Sequence, residues 1–244
     1  MKEVNGAQPQ PITVVFENTT PVGCRSPILF VMKSGDHIAV SADLVGSRLA
    51  ADRHALMSLI ESTLESLGRS YRREMLAIPV LTRGLDEFSA VFKTPKPLFD
   101  FMVQLNESLW PARFRLGVGI GRIDLAEESG NAGKMDGPAF HLAAEALSVA
   151  SRSGSALVIR APDADQIDLM AIEALARAHS AIVEDWTPGV AKVIPSVRAA
   201  GTQEAVARLL NIRQQAVSKA VRRARLDVLV QLEGAGRALV CSRL

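Results

Sequence analysis

Three carboxylates are placed by pattern to meet at one point. Asp43 lies at the end of residues 37–44, an alternating apolar run that reads as a strand. Asp86 and Glu87 fall at the break between two further strand-like runs, 75–82 and 87–93, joined by a short turn. In a β-α-β-β order the first and third strands pair, so the end of the first and the turn before the third converge. Convergent carboxylates at a strand end suit magnesium, which takes one or two carboxylates and completes its shell with substrate phosphates and water. Such an ion neutralises phosphate charge and activates a hydroxyl. Each residue also has an ordinary reading, in which Asp43 caps the following helix and Asp86 makes a turn.

A second group of candidates follows from the alternation of side chains across strands. Ala39, Ser41 and Asp43 share one face of the first strand, and Arg115, Gly117, Gly119 and Gly121 share one face of a later strand beginning at Phe114. Glycine weakens a strand, so three in alternation imply that something approaches the backbone closely. A ligand, a partner subunit or another part of the chain would each satisfy this, which makes Ser41, Gly117, Gly119 and Gly121 candidate ligand contacts. Residues 133–138 lead into a helix at Pro138, a residue suited to the first helical position. A helix N-terminus holds phosphate, and Lys134 or Arg48 could assist there, with Asp136 in the same segment a further candidate ligand contact; the plain alternative is a capped helix start. The four histidines, His37, His54, His141 and His179, form no metal-binding spacing, and neither a nucleophile elbow nor a phosphate-binding loop is present. The alternating glycines lie inside a strand and open no helix, so they are not a dinucleotide fingerprint. Trp110 and Trp186 read as packing residues.

The elements that must carry these residues follow in a regular order. A helix carries Leu56, Ile60, Leu64 and Leu67, and a second carries Leu98, Phe101, Met102, Leu105 and Leu109. A third spans 139–151, and a last strand spans 156–160. The fold class is α+β: a ferredoxin-like βαββαβ domain with an α-β addition over residues 37–160, followed by an all-α domain. Pro79 belongs on an edge strand, which the second strand of this topology is. Residues 1–36 form an N-terminal arm or hairpin with short strand-like runs at 12–16 and 28–32. Residues 161–197 are connecting helices, one of them long (Ile167, Met170, Leu175, Ile182), and a Pro- and Gly-punctuated stretch from Thr187 to Gly201 leads into the end of the chain.

Residues 198–244 carry a helix-turn-helix. Two helices at a steep angle need a small shared core, here Val206, Leu210, Ile212, Val217 and Val221, with Ala207 at the crossing. Thr202 suits the first N-cap, and Asn211 tolerates the left-handed conformation that the turn requires. The exposed face of the second helix then reads Arg213, Gln214, Gln215, Ser218, Lys219 and Arg222, with no acid among them. Such side chains suit DNA: arginine to guanine, glutamine to adenine, lysine to phosphate. A helical hairpin used only for packing is the alternative.

Composition sets the bounds. The chain is 48% hydrophobic and 22% charged, an ordinary core-forming mixture. It has no apolar run near the roughly 18 residues that span a bilayer, and no signal-peptide pattern. Two distant cysteines, Cys24 and Cys241, read as thiols in a reducing cytoplasm, a disulfide between them being the alternative. From Arg198 onward nine basic residues face three acidic ones; the chain's net charge of +2 therefore leaves −4 on the residues before it. Polyanion contacts belong to the tail.

Four short motifs carry a family resemblance. Ala42–Asp43–Leu44–Val45–Gly46–Ser47–Arg48 resembles the opening motif of the SatD family of bacterial proteins, and Gly84–Leu85–Asp86–Glu87–Phe88 resembles its second. The stretches Arg115–Gly121 and Met135–Phe140 resemble its third and fourth. The match runs from about residue 38 to 222. The resemblance implies a core similar to the palm domain of nucleotidyl cyclases and GGDEF-type diguanylate cyclases, which hold metal with a carboxylate ending the first strand and another in the hairpin turn. Asp43 matches the first, and Asp86 the second, with Glu87 the alternative. Leu85 replaces the glycine before Asp86, and the paired glycines that let guanine nucleotide lie on the turn are missing.

The reading as a whole is a cytoplasmic, DNA-binding and transcription-regulatory homodimer whose cyclase-like palm binds a nucleotide with Mg2+. The alternative is a metal-dependent nucleotidyl cyclase or transferase that uses Asp43 and Asp86.

Overall fold

A computed structural model describes residues 32–45, 52–83, 86–200 and 202–244. The predicted arm up to residue 31, and Arg48, lie outside the described residues. A five-stranded sheet is built from β1 (Asp36–Leu44), β2 (Met75–Arg83), β3 (Glu87–Phe92), β4 (Phe114–Arg122) and β5 (Leu157–Arg160), in the spatial order β2-β3-β1-β4-β5. All pairs are antiparallel except β4 with β5. The helices are α1 (Arg53–Ser70), α2 (Leu98–Leu109), α3 (Pro138–Ser153), α4 (Gln166–Glu184), α5 (Pro188–Ala200), α6 (Gln203–Leu209), α7 (Gln214–Arg223) and α8 (Leu226–Arg243). The edge strand β2 holds Pro79, and its pairing with β3 is irregular on either side of that residue. No helix among the described residues is long and apolar enough to cross a membrane.

The two faces of the sheet are covered differently. On one, Ile38, Val40 and Ala42 of β1, Phe88 and Phe92 of β3, and Phe114, Leu116 and Val118 of β4 meet α1, α2, α4 and α8 in the main core. Edge-to-face aromatic pairs, Phe88 with Phe114 at 5.0 Å and Phe92 with Phe101 at 5.2 Å, knit it together. On the other face α3 lies against β4. Its sheet-facing stripe is Ala139, Ala143, Ala146 and Ala150, all buried. Alanine facing glycine lets helix and strand backbones almost touch. A methyl added at Gly117 would lie 2.3 Å from the Ala143 carbonyl oxygen, and one at Gly119 would lie 2.1 Å from that of Ala139. The partner that the glycines imply is thus α3, and their assignment as ligand contacts is corrected: at Gly117 and Gly119 the helix fills the space. Gly121 is less crowded, the nearest atom to an added methyl being 3.4 Å away.

The C-terminal half is more helical than its Pro and Gly content suggests. Residues 188–200, read as a punctuated stretch, form α5. Pro188 stands at its start, where no helical N–H is needed, and Pro195 lies exposed inside it while Val190, Val193 and Ile194 are buried. These three join Val183, Trp186, Val206, Val217, Ala220 and Leu229 in a second core shared by α4 to α8. After α7 the chain returns along α8 to pack on α4 and α2, bringing Val240 and Leu244 into the main core. The tail from residue 198 therefore contributes to both cores.

The close approach of α3 predicts an asymmetry between neighbouring glycines. Gly119→Ala forces backbone apart and is expected to cost about 3 kcal/mol or more, whereas Gly121→Ala is tolerated. Urea denaturation reads the difference; equal midpoints for the two variants would contradict this packing.

Candidate functional site

The sheet face that α3 covers is open at one end. There Asp43 of β1 stands level with Glu87 of β3 and Arg115 of β4, and Ser41, Ser89 and Gly117 form the next row inward. The turn before β3 is fastened to the end of β1, because the Leu44 N–H donates to the Asp86 carbonyl at 2.7 Å. Asp43, Asp86 and Glu87 are all half-buried. Burial pushes the Asp43 carboxyl above the usual carboxylate range; the Arg115 charge opposes this, and the nearby Asp86 charge adds to it. Asp86 Oδ1 is buried with no hydrogen-bond partner. An unsatisfied buried carboxylate oxygen beside a second carboxylate is costly unless a cation joins them. Two hard oxygen donors of this kind fit Mg2+. Asp43 does not cap α1; Asp52 does, accepting from the Ala55 N–H at 2.9 Å.

The other predicted ligand contacts are not gathered here. The start of α3 lies beside Gly121, at the opposite end of β1 from Asp43. Six residues of strand, about 20 Å at the usual rise, separate His37 from Asp43. Lys134 closes a short 3₁₀ turn, Ala132–Lys134, and is exposed. Asp136 Oδ1 accepts from the Gly137 N–H at 2.8 Å and lies 3.2 Å from His141 Nε2. A carboxylate thus already stands at this helix start, and Lys134 and Asp136 lie at the end of the sheet away from Asp43. Ser41 remains next to the carboxylates. Arg115, which the same alternation places on this face, adds a cation to the site.

At the other end of the molecule α6 and α7 meet across a tight turn. Thr202 caps α6 by accepting from the Ala205 N–H at 3.2 Å, and Asn211 takes φ 51°, the left-handed conformation expected of it. Val206 and Val217 are fully buried between the helices, whereas Ile212, assigned to that core, is 37% exposed beside the groove between α5 and α7. Arg213, Gln214, Gln215, Lys219 and Arg222 are exposed and Ser218 is half-buried. The segment Gln214–Arg223 contains no acidic residue.

Residues 37–240 match the model of the SatD family. The chain belongs to the SatD family. Among proteins of curated function, none matches this SatD-family chain. Among solved structures, that of a bacterial light-regulated adenylyl cyclase is similar at 16% identity and a TM-score of 0.35, over 51% of this chain and 74% of that one. So loose a likeness carries no argument about activity.

One polar cluster in this SatD-family protein escapes any reading of the sequence. Glu107 of α2, His179 of α4 and Glu233 of α8 are buried together, with ligand atoms within 4.8 Å of one another. Arg198 of α5 lies between the two carboxylates, its Nη2 2.6 Å from an oxygen of each, and takes the place that a cation would hold. Burial lifts the Glu107 pKa, while His179 and Arg198 hold Glu233 below the usual range against the same burial. The four residues come from four helices, and no local spacing announces them.

The raised pKa of Asp43 has a consequence for stability. The folded state holds the Asp43 proton to higher pH than the unfolded chain does, so ionising Asp43 destabilises the fold. Without divalent metal, Asp43→Asn is expected to raise the melting temperature at neutral pH. The gain should shrink as pH falls through the folded pKa and vanish below the unfolded value. A melting temperature that drops at neutral pH, or a difference independent of pH, would contradict the strained carboxylate pair.

Proposed function

We propose that this SatD-family protein binds DNA through α7 as a helix-turn-helix recognition helix and acts as a transcriptional regulator. Its palm domain, a ferredoxin-like core in this reading, holds a divalent cation, magnesium, with a nucleotide at Asp43 and Asp86. The observation that carries the DNA-binding reading is the exposed, acid-free face of Arg213, Gln214, Gln215, Lys219 and Arg222 on a short helix that a capped partner and a left-handed turn hold in place. Arginine and lysine supply phosphate contacts that fix register, and the glutamines and Arg213 suit base edges in the major groove. Single units of this kind usually read paired half-sites as dimers, so a homodimer belongs to the reading.

A second reading, a metal-dependent nucleotidyl cyclase or transferase, is favoured by the unsatisfied Asp86 Oδ1 beside Asp43. In either reading the bound ion would neutralise phosphate charge. Asp43 and Asp86 would hold it, with Glu87 at the same edge and Ser41 one row away.

Fluorescence anisotropy with a random-sequence duplex tests the DNA-binding reading. Wild-type affinity should fall steeply with salt, and Lys219→Ala with Arg222→Ala should weaken binding and reduce the slope of log K against log salt by about 2. Binding that ignores salt, or a slope unchanged in the double variant, would refute it.

A further inference from the structure

A cavity of about 280 Å³ opens between the end of α2, the loop before β4 and the C-terminal half of α4. That is close to the lower end of the roughly 300–1,000 Å³ usual for small-molecule sites. Three arginines line it from three different elements: Arg113 from the loop, Arg115 from β4 and Arg177 from α4. Among the described residues the only acid in the lining is Glu184, which is ion-paired with Arg113. Arg177 has no ion-pair partner among the described residues, and Arg115 interacts electrostatically with Asp43 across the sheet. The lining is therefore left with an excess of positive charge in a concave space, where the field is focused and attracts an anion.

The remaining walls are not those of a simple inorganic-ion site. Trp110, half-buried, offers a flat apolar surface. Asn106 and Ser180 are buried in the lining, and the Asn106 Nδ2 donates to Ser180 Oγ at 3.2 Å. Ser180 accepts in that bond and keeps its own hydroxyl hydrogen for another partner. The Asn106 Oδ1 is buried with none. A ligand matching these walls joins a phosphate, which arginine forks bind bidentately, to a flat, partly apolar body that stacks on an aromatic ring.

We propose that this cavity binds an organic phosphate of nucleoside monophosphate type, held by Arg177, Arg115 and Arg113 and lying on Trp110. The cavity adjoins the carboxylate pair through Arg115, contains neither Asp43 nor Asp86, and needs no metal. An occupant would touch α4, whose end carries Val183, with Trp186 just beyond it, into the second core beneath α5 to α7.

Isothermal titration calorimetry of the full chain with adenosine monophosphate, in EDTA, tests the proposal. EDTA removes any metal-dependent nucleotide binding at Asp43 and Asp86, so failure of that reading does not register here. Saturable binding is expected, about tenfold or more weaker for adenosine and for Arg177→Ala, with part of the loss restored by Arg177→Lys. Arg177 is exposed, so its removal leaves the fold intact, which circular dichroism verifies. The absence of saturable heat from adenosine monophosphate would overturn the proposal. So would equal affinities for adenosine and its monophosphate, or an unchanged affinity in folded Arg177→Ala.

Discussion

The rest of the structure depends on how closely α3 lies on β4. Two strand glycines and a stripe of helix alanines bring the backbones to a separation at which no added methyl fits. One whole region of the sheet is thereby closed to ligands. Among the described residues the face is partly open at the row formed by Asp43, Glu87 and Arg115, each half-buried. Packing thus decides where chemistry is possible, and it leaves two carboxylates, one with an unsatisfied oxygen, at that opening.

A second constraint joins the sheet domain to the helices after it. Glu107 and Glu233 are buried carboxylates that would be expensive alone. Arg198 bridges them, reaching from α5 into the junction of α2, α4 and α8. It stands five residues before α6, so the first helix of the proposed DNA-binding unit leaves directly from this anchored point. The return of α8 to α2 and α4 closes the junction from the other side. A buried ion network gives little net stability compared with an apolar core, but its directional bonds favour one arrangement of these helices over others.

Much of this was legible in the sequence because its patterns are local. Period-two alternation located β1 and β4 and put Arg115 on the face of Asp43; the strand order then brought Asp43 to Asp86. Thr202 and Asn211 marked the cap and the turn of α6 and α7 by conformational preference alone. The glycines announced a close approach but not what approached. A helix, a ligand and a second subunit impose the same demand on a strand, and the alanine stripe at 139, 143, 146 and 150 was the signal that chose among them. Residues 188–200 read as broken because proline and glycine dominate local reasoning, whereas burial of Val190, Val193 and Ile194 sustains a helix through Pro195. Ile212 looked like core by type, yet the turn turns it outward. The Arg198 cluster had no local signature at all, since it assembles residues up to 126 positions apart from four helices.

Mn2+, a paramagnetic stand-in for Mg2+, reports where a divalent cation binds through its effect on amide resonances of the labelled protein. Binding at the carboxylate pair should give broadening centred on Asp43, Asp86, Glu87 and Arg115, sparing Lys134, Asp136 and the Arg198 cluster. Broadening centred on residues 134–137 or on Glu107, His179 and Glu233, or none at saturating metal, would contradict it.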